Sequence, residues 1–146
     1  GYEGIVLFEI KSEPSLVSEY YPNPKEYADI IYNHVKDSPL KSNYIYMSFD
    51  PEILNELHTL MSKERYVLLE YKPFKCFSKL KESLNFTPHA FGLNYKIITP
   101  KFVNKSHKEN IEVFAWTVNE IGMSNELVKI GVDAIITDYP DLIKHE

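Results

Sequence analysis

Six short apolar runs, alternating with segments of helical periodicity, constrain the fold of this chain more than any other feature. The runs are nearly continuous in apolar character, which is typical of parallel strands covered on both faces. Successive runs begin roughly 20 to 40 residues apart, enough for a strand and a crossover helix. The predicted strands lie near Ile5, Tyr44, Tyr66, Ala90, Val113 and Asp133. The sequence therefore predicts an α/β protein made of six βα units.

Helix start signals support this interpretation. Asp50-Pro51 and Thr99-Pro100 each place a capping side chain directly before a proline, an arrangement that favours a helix start. Apolar side chains recur at helical spacing over 25–36 and predict one buried helix face. We expect helices over 25–36, 51–61, 77–84 and 100–109, and one more between the last two strands.

Two architectures can accommodate six parallel βα units. A doubly wound open sheet fits the count, and so do six of the eight units of a TIM (β/α)8-type barrel. The chain has only 5 glycines and lacks both the G-x-G-x-x-G and the P-loop patterns, which favours the barrel. Its 146 residues fit a single domain over 1–146. Both architectures place functional side chains at the carboxyl ends of the strands.

Composition and charge argue against several classes of protein. The net charge is −5 and the basic residues are scattered among acids, which argues against a nucleic-acid partner. The apolar runs fall far short of the roughly 18 residues that a transmembrane helix needs. The single cysteine, Cys76, cannot form an internal disulfide. The chain fits an ordinary globular protein without a transmembrane segment.

Polar and aromatic side chains stand where the predicted strands end. They are Glu9, Lys11, Ser48, Phe49, Glu70, Asn94, Trp116, Asn119, Thr137 and Asp138. Strand alternation places Glu9 and Lys11 on the same side of the first strand. Carboxylate oxygens suit Mg²⁺ or Ca²⁺, and a lysine close by can neutralise an anionic group on the same ligand. The combination suggests a phosphate or phosphodiester substrate.

Each of these side chains also has a structural interpretation. Glu9 and Lys11 can be a strand that reaches solvent, and Trp116 can belong to the core. Asp50 and Asp138 resemble helix caps. Glu70 is ambiguous, with a surface position slightly favoured. No histidine stands at a predicted strand end, where a general acid or base would be needed.

Five segments together resemble the glycerophosphodiester phosphodiesterase family. They are Leu7-Phe8-Glu9-Ile10-Lys11, Ser48-Phe49-Asp50, Gly92-Leu93-Asn94, Trp116-Thr117-Val118-Asn119 and the run 131–140. The resemblance covers nearly the whole chain in the right order. It implies a TIM barrel that uses a divalent cation, Mg²⁺ or Ca²⁺, to hydrolyse glycerophosphodiesters to glycerol 3-phosphate and an alcohol.

The resemblance also implies roles for individual residues. Glu9 corresponds to a metal-binding glutamate of the family, and Lys11 to the lysine that approaches the substrate phosphate. Trp116 is expected to line the substrate pocket, and Phe49 and Asn94 are further pocket candidates. Asn119 and Asp138 are then expected to be structural.

Other family motifs do not occur in this chain. The His-Arg-Gly of the first strand, the Glu-x-Asp metal pair of the second and a further catalytic histidine are missing, and the strand at Ile5 would be the family's third. We therefore expect a C-terminal portion that is inactive alone, with the first two βα units supplied by the same longer chain or by another chain. The alternative is a non-catalytic, degenerate barrel that binds a phosphorylated ligand or a protein partner. The alcohol group, the choice of metal, the compartment and the oligomeric state stay open.

Overall fold

The computed structural model describes residues 4–17, 19–72 and 77–143. The strands are β1 (Val6–Ile10), β2 (Tyr44–Ser48), β3 (Arg65–Glu70), β4 (Ala90–Asn94), β5 (Glu112–Trp116) and β6 (Ala134–Ile135). The helices are α1 (Pro24–Val35), α2 (Pro51–Leu60), α3 (Phe77–Glu82), α4 (Pro100–Lys108) and α5 (Ile121–Lys129). The predicted alternation of strand and helix is confirmed. Cys76 lies outside the described residues.

Three of the helices begin with the same local device. A side-chain oxygen of Asn23, Asp50 or Thr99 accepts a hydrogen bond from a backbone N–H in the first turn of α1, α2 or α4, and a proline follows each cap. The cap satisfies an N–H group that has no partner inside the helix, while proline has no N–H to lose there. The predicted cap at Asp50 is therefore confirmed.

The chain divides into two compact units, and we describe each by itself. The first unit comprises Gly1–Leu69 and Lys81–Pro88. In it β1 pairs with β2, and β2 with β3, in parallel register, and α1 packs against α2. The carboxyl ends of these strands therefore meet at one edge of the sheet. The expectation of a single domain over 1–146 stays a prediction.

The second unit comprises Glu70–Leu80 and His89–Glu146, with β4, β5 and β6 paired in parallel. The strand predicted near Asp133 is only two residues long, which is shorter than its apolar run indicated. Backbone hydrogen bonds between the two segments nevertheless extend past this short strand: the Ile136 N–H donates to the Ala115 carbonyl at 2.8 Å, and the Val118 N–H donates to the Ile136 carbonyl at 2.9 Å. The loop after β5 is therefore bonded to the chain that follows β6.

A row of aromatic side chains shows which face of the first unit's sheet is covered by helix. Phe8 is aligned with Tyr46, and Tyr46 with Tyr66, so the three side chains project from the same face. The Tyr66 hydroxyl donates to the carbonyls of Leu57 and Met61 at the end of α2, at 3.1 and 2.9 Å. This face therefore packs against α2, and neighbouring positions along β1 project from the opposite face.

Removing the Tyr66 hydroxyl should destabilise the first unit. Tyr66→Phe leaves two carbonyls at the end of α2 without this buried donor, and we expect it to lower the free energy of unfolding by about 1–2 kcal/mol. Tyr46→Phe is the matched control, because the Tyr46 hydroxyl is buried and has no hydrogen-bond partner among the described residues. Urea unfolding of both variants tests this, and equal losses would contradict it.

These two tyrosines should also make the free energy of unfolding decrease at alkaline pH. Burial, with a smaller contribution from the negative charge of Glu64, raises the pKa of Tyr46 to about 12. Burial also raises the pKa of Tyr66. An unfolded tyrosine titrates near pH 10, so above that pH the native state holds more protons than the unfolded state and the free energy of unfolding falls.

We expect the loss to begin as the pH rises through about 10, at roughly 1 kcal/mol per pH unit for each tyrosine. Urea unfolding between pH 9 and pH 12 measures it, with the Tyr46→Phe/Tyr66→Phe double variant as the reference. A double variant whose stability falls as steeply as that of the parent would contradict the expectation.

Candidate functional site at the carboxyl ends of the strands

Glu9 and Lys11 lie together at the end of β1. Glu9 is next to Phe8 in the strand and so projects from the face opposite the one that α2 covers. The Lys11 ammonium donates a hydrogen bond to Glu9 Oε1. The side chains are 29% and 71% exposed for Glu9 and Lys11 respectively, so both can be reached from solvent. The structure therefore brings together the two charged groups that the sequence singled out.

The next strand places Phe49 at the same edge of the sheet. Ile10 is aligned with Ser48 in the parallel pairing of β1 and β2, and Phe49 follows directly. The Phe49 side chain is 38% exposed, which is unusual for a phenylalanine at the end of a buried strand. Phe49 can therefore be reached from solvent at this edge, and its pocket-lining role stays a prediction.

Lys11 lies in the segment Ile10–Ser12, and each residue of this segment bonds to a side chain from elsewhere in the first unit. Ser48 Oγ donates to the Ile10 carbonyl at 2.9 Å. Tyr27 Oη donates to the Lys11 carbonyl at 3.4 Å. Ser12 Oγ donates to Asp50 Oδ2 at 2.7 Å. The sequence predicted the cap at Asp50 but missed its contact with Ser12, because no local pattern links two residues so far apart along the chain.

Asn94 and Trp116 are the predicted site residues of the second unit. They are aligned in the pairing of β4 with β5, so their side chains leave the sheet on the same face. Phe91, on the other face of β4, packs against Phe77 and Phe102. Asn94 Oδ1 accepts from the Lys96 N–H at 3.0 Å, and Trp116 is half-buried. The structure therefore brings these two together on the face away from Phe91.

Asn119 ties the loop after β5 to the chain after β6. Its Oδ1 accepts from Thr137 Oγ1 at 3.1 Å and from the Asp138 N–H at 3.0 Å. Its Nδ2 donates to Asp138 Oδ2 at 2.9 Å. The expectation that Asp138 caps a helix stays a prediction, because the chain after it is described only through residue 143. The Asp138 carboxylate binds a side chain from the other loop.

Glu70 is also placed differently from the sequence expectation. The side chain is only 6% exposed, although the sequence favoured the surface. Glu70 Oε1 accepts from the backbone N–H groups of Tyr71 and Lys72, both at 2.9 Å. These bonds to the chain that leaves β3 satisfy a buried carboxylate that would otherwise be costly. The sequence could not show this burial, because the path of the loop after β3 decides whether its N–H groups reach the Glu70 carboxylate.

The described residues do not form a complete divalent-cation site. Within 4–17, 19–72 and 77–143, no three His, Cys, Asp or Glu side chains lie close enough to hold a metal ion. Glu9 offers a hard carboxylate ligand of the kind that Mg²⁺ and Ca²⁺ prefer, but further ligands would have to come from elsewhere. The role of Glu9 as a ligand of the metal that the resemblance implies stays a prediction.

Each described histidine contacts a group of its own unit. His34 contacts the Ile30 carbonyl, His58 stacks on Phe86, His89 lies beside Glu112, and His107 contacts Asp133. That no histidine of this chain serves as the general acid or base stays a prediction.

Comparison with known proteins identifies the family. The model of the "Glycerophosphoryl diester phosphodiesterase family" matches residues 6–142. This chain belongs to that family. Among curated proteins, this chain is 26% identical over 148 aligned residues to YhdW of Bacillus subtilis, whose name refers to a glycerophosphodiester phosphodiesterase. The match covers 97% of this chain and 57% of YhdW.

Solved structures show the fold. A Silicibacter pomeroyi protein named for the same activity matches with a TM-score of 0.82 and 23% identity, over 95% of this chain and 48% of that one. An Oleispira antarctica phosphodiesterase, solved with the product sn-glycerol-3-phosphate, matches with a TM-score of 0.76 and 18% identity, over 92% and 51% of the two chains. The predicted α/β fold of the TIM-barrel type, with six βα units in this chain, is therefore confirmed. The chain spans about half the length of these relatives.

No helix in the described residues is long and apolar enough to cross a membrane.

Removing the Asn119 side chain should loosen both segments that it joins. We expect Asn119→Ala to lower the free energy of unfolding by about 1 kcal/mol, because three hydrogen bonds at a partly exposed site are lost. Amide exchange should accelerate over 117–119 and 137–139. Asn125→Ala is the matched control, since Asn125 is exposed on α5. If both variants behave alike, Asn119 does not hold the two loops together.

Proposed function

We propose that this chain supplies the C-terminal part of a phosphodiesterase barrel that hydrolyses glycerophosphodiesters to glycerol 3-phosphate and an alcohol. The observation that carries the proposal is the pairing of Glu9 with Lys11 at the solvent-accessible end of β1. Family membership supports it, as does the glycerol phosphate bound by the structurally similar Oleispira antarctica enzyme.

The two charged groups have different tasks in this proposal. The Lys11 ammonium offsets the negative charge of the substrate phosphate, and its contact with Glu9 keeps it close to the strand end. Glu9 is one ligand of a Mg²⁺ or Ca²⁺ ion, which when bound would polarise a phosphoryl oxygen. The other ligands and the acid and base histidines come from outside the described residues.

Aromatic and amide groups at the strand ends of each unit would contact the substrate. Trp116 and Asn94 lie on one face at the ends of β5 and β4, where a glycerol moiety can pack on the indole and bond to polar groups nearby. Phe49 offers a further apolar contact beside β1. Each of these groups is on or next to a strand, which fixes its position better than a loop would.

A complete barrel needs two more βα units than this chain contains. In a closed barrel every strand is paired on both sides, whereas an open edge exposes unpaired backbone groups. The proposal therefore includes strands from the same longer chain or from another chain that complete the barrel. These strands would bring the further metal ligands and the histidines that act as general acid and base.

A second candidate function is binding without hydrolysis. The lack of a three-ligand metal cluster in the described residues favours a degenerate barrel that binds a phosphorylated ligand or a protein partner. Such a protein would bind sn-glycerol 3-phosphate in a calorimetric titration but would release no product from a glycerophosphodiester.

The deciding experiment is hydrolysis by the full-length protein. Glycerophosphocholine, glycerophosphoethanolamine and glycerophosphoglycerol are incubated with the protein and Mg²⁺ or Ca²⁺, and released glycerol 3-phosphate is measured. We expect release that EDTA abolishes and that the added metal restores. The absence of release with all three substrates and both metals would reject the phosphodiesterase.

Substitutions at Glu9 and Lys11 should affect different parameters. We expect Lys11→Ala to lower kcat/KM by roughly 10²-fold, because a charge that stabilises the transition state is lost. Glu9→Gln should raise the metal concentration for half-maximal activity by about tenfold or more, because a charged ligand is lost. Glu13→Gln and Lys25→Ala are matched controls, since both side chains are exposed beyond the strand end. Equal effects in the controls would contradict the assigned roles.

A further inference from the structure

We infer that Asp50 and Ser12 are positioning residues, whose hydrogen bond sets the direction in which the end of β1 presents Lys11 to the substrate phosphate. The inference rests on the proposed function, because that function provides the substrate phosphate that Lys11 contacts. It goes beyond that function by assigning a role to two residues that need touch neither substrate nor metal.

The inference starts from where β1 ends. The last residue of the strand is Ile10, so Lys11 lies beyond the ladder with β2 and is not held by strand pairing. A lysine side chain is flexible, and its reach is set by the backbone from which it starts. The direction of the Lys11 backbone therefore depends on other bonds.

Those bonds form a connected set around Ile10–Ser12. Ser48 Oγ donates to the Ile10 carbonyl at 2.9 Å and accepts from the Asp50 N–H at 3.1 Å. Ser12 Oγ donates to Asp50 Oδ2 at 2.7 Å. The residues before and after Lys11 are thus both bonded, directly or through Ser48, to Asp50.

Asp50 is suited to this task because it is itself fixed. It is only 1% exposed, and its two carboxylate oxygens have separate partners. Oδ1 accepts from the Glu52 N–H at 2.9 Å and caps α2, and Oδ2 accepts from Ser12 Oγ. The positive end of the helix also favours a carboxylate at this position.

The helix cap alone does not account for an aspartate here. Serine and asparagine cap helices about as well, with a single side-chain oxygen. The second oxygen of Asp50 is the one that reaches Ser12, on the segment that bears Lys11. Two acceptors on one rigid side chain join the start of α2 to the end of β1.

Two substitutions remove this bond in different ways. Ser12→Ala removes the donor and leaves the cap intact. Asp50→Ser keeps one oxygen for the cap and lacks the second acceptor. Asp50→Asn is the conservative variant, because its oxygen can cap α2 while its Nδ2 donates to Ser12 Oγ. Ser15→Ala is the matched control, since Ser15 Oγ donates to the exposed Glu13 in the same loop.

The full-length protein with its metal is assayed on a glycerophosphodiester. We expect Ser12→Ala and Asp50→Ser each to lower kcat/KM by about tenfold, because a small misplacement of a charged group is enough for such a loss. Asp50→Asn and Ser15→Ala should stay within about twofold of the parent. In a Lys11→Ala background, Ser12→Ala should cause no further loss, because the residue acts through Lys11.

A purely structural role of Ser12 would lower kcat/KM by the same factor with or without Lys11. The absence of a further loss in the Lys11→Ala background therefore distinguishes positioning from such a role. Equal losses in the two backgrounds, or a loss below twofold for Ser12→Ala, overturn the inference. Hydrogen exchange gives a readout that does not need activity: amides of residues 10–12 should exchange faster in Ser12→Ala than in Ser15→Ala, and unchanged exchange overturns the inference. If the two variants show this exchange result but the parent protein hydrolyses no glycerophosphodiester, the proposed function fails while the positioning of Lys11 stands.

Discussion

Parallel pairing of β1 with β2 is the interaction on which the candidate site of the first unit depends. The register aligns Ile10 with Ser48, and this alignment puts the start of α2 beside the end of β1. Without it, the cap residue Asp50 could not reach Ser12. Parallel strands also bring all their carboxyl ends to one edge, so charged groups from one strand and aromatic groups from the next face the same space.

The pairing of Glu9 with Lys11 contributes little to stability. Exposed ion pairs are worth at most about 1 kcal/mol, because water screens the charges and two long side chains lose freedom. Lys11 is largely exposed, while the backbone beneath it is bonded to buried groups. In the proposed function, these bonds hold the ion pair in place for a ligand. A phosphate and a cation would give each charge a stronger partner.

The second unit shows the same principle with different residues. The loop after β5 follows Trp116 and is bonded through Asn119 to the chain after β6. Near the other end of β5, Asp133 accepts from the Val113 N–H at 2.7 Å and contacts His107. The end of β5 that bears Trp116 is therefore held by side-chain hydrogen bonds, and so is the opposite end of the strand. Such bonds keep functional groups in position where regular pairing stops.

The sequence by itself determined the order of elements, the helix starts and the alignment of Glu9 with Lys11. These features depend on local rules: apolar periodicity, caps followed by proline, and the alternation of side chains along a strand. The family also followed from the sequence, because its motifs are short and continuous. Tertiary structure alone decided the burial of Glu70, the partner of Asp138, the shortness of β6 and the bond between Asp50 and Ser12. Each of these depends on groups that meet only after the strands have paired, and no local pattern along the chain encodes such a meeting.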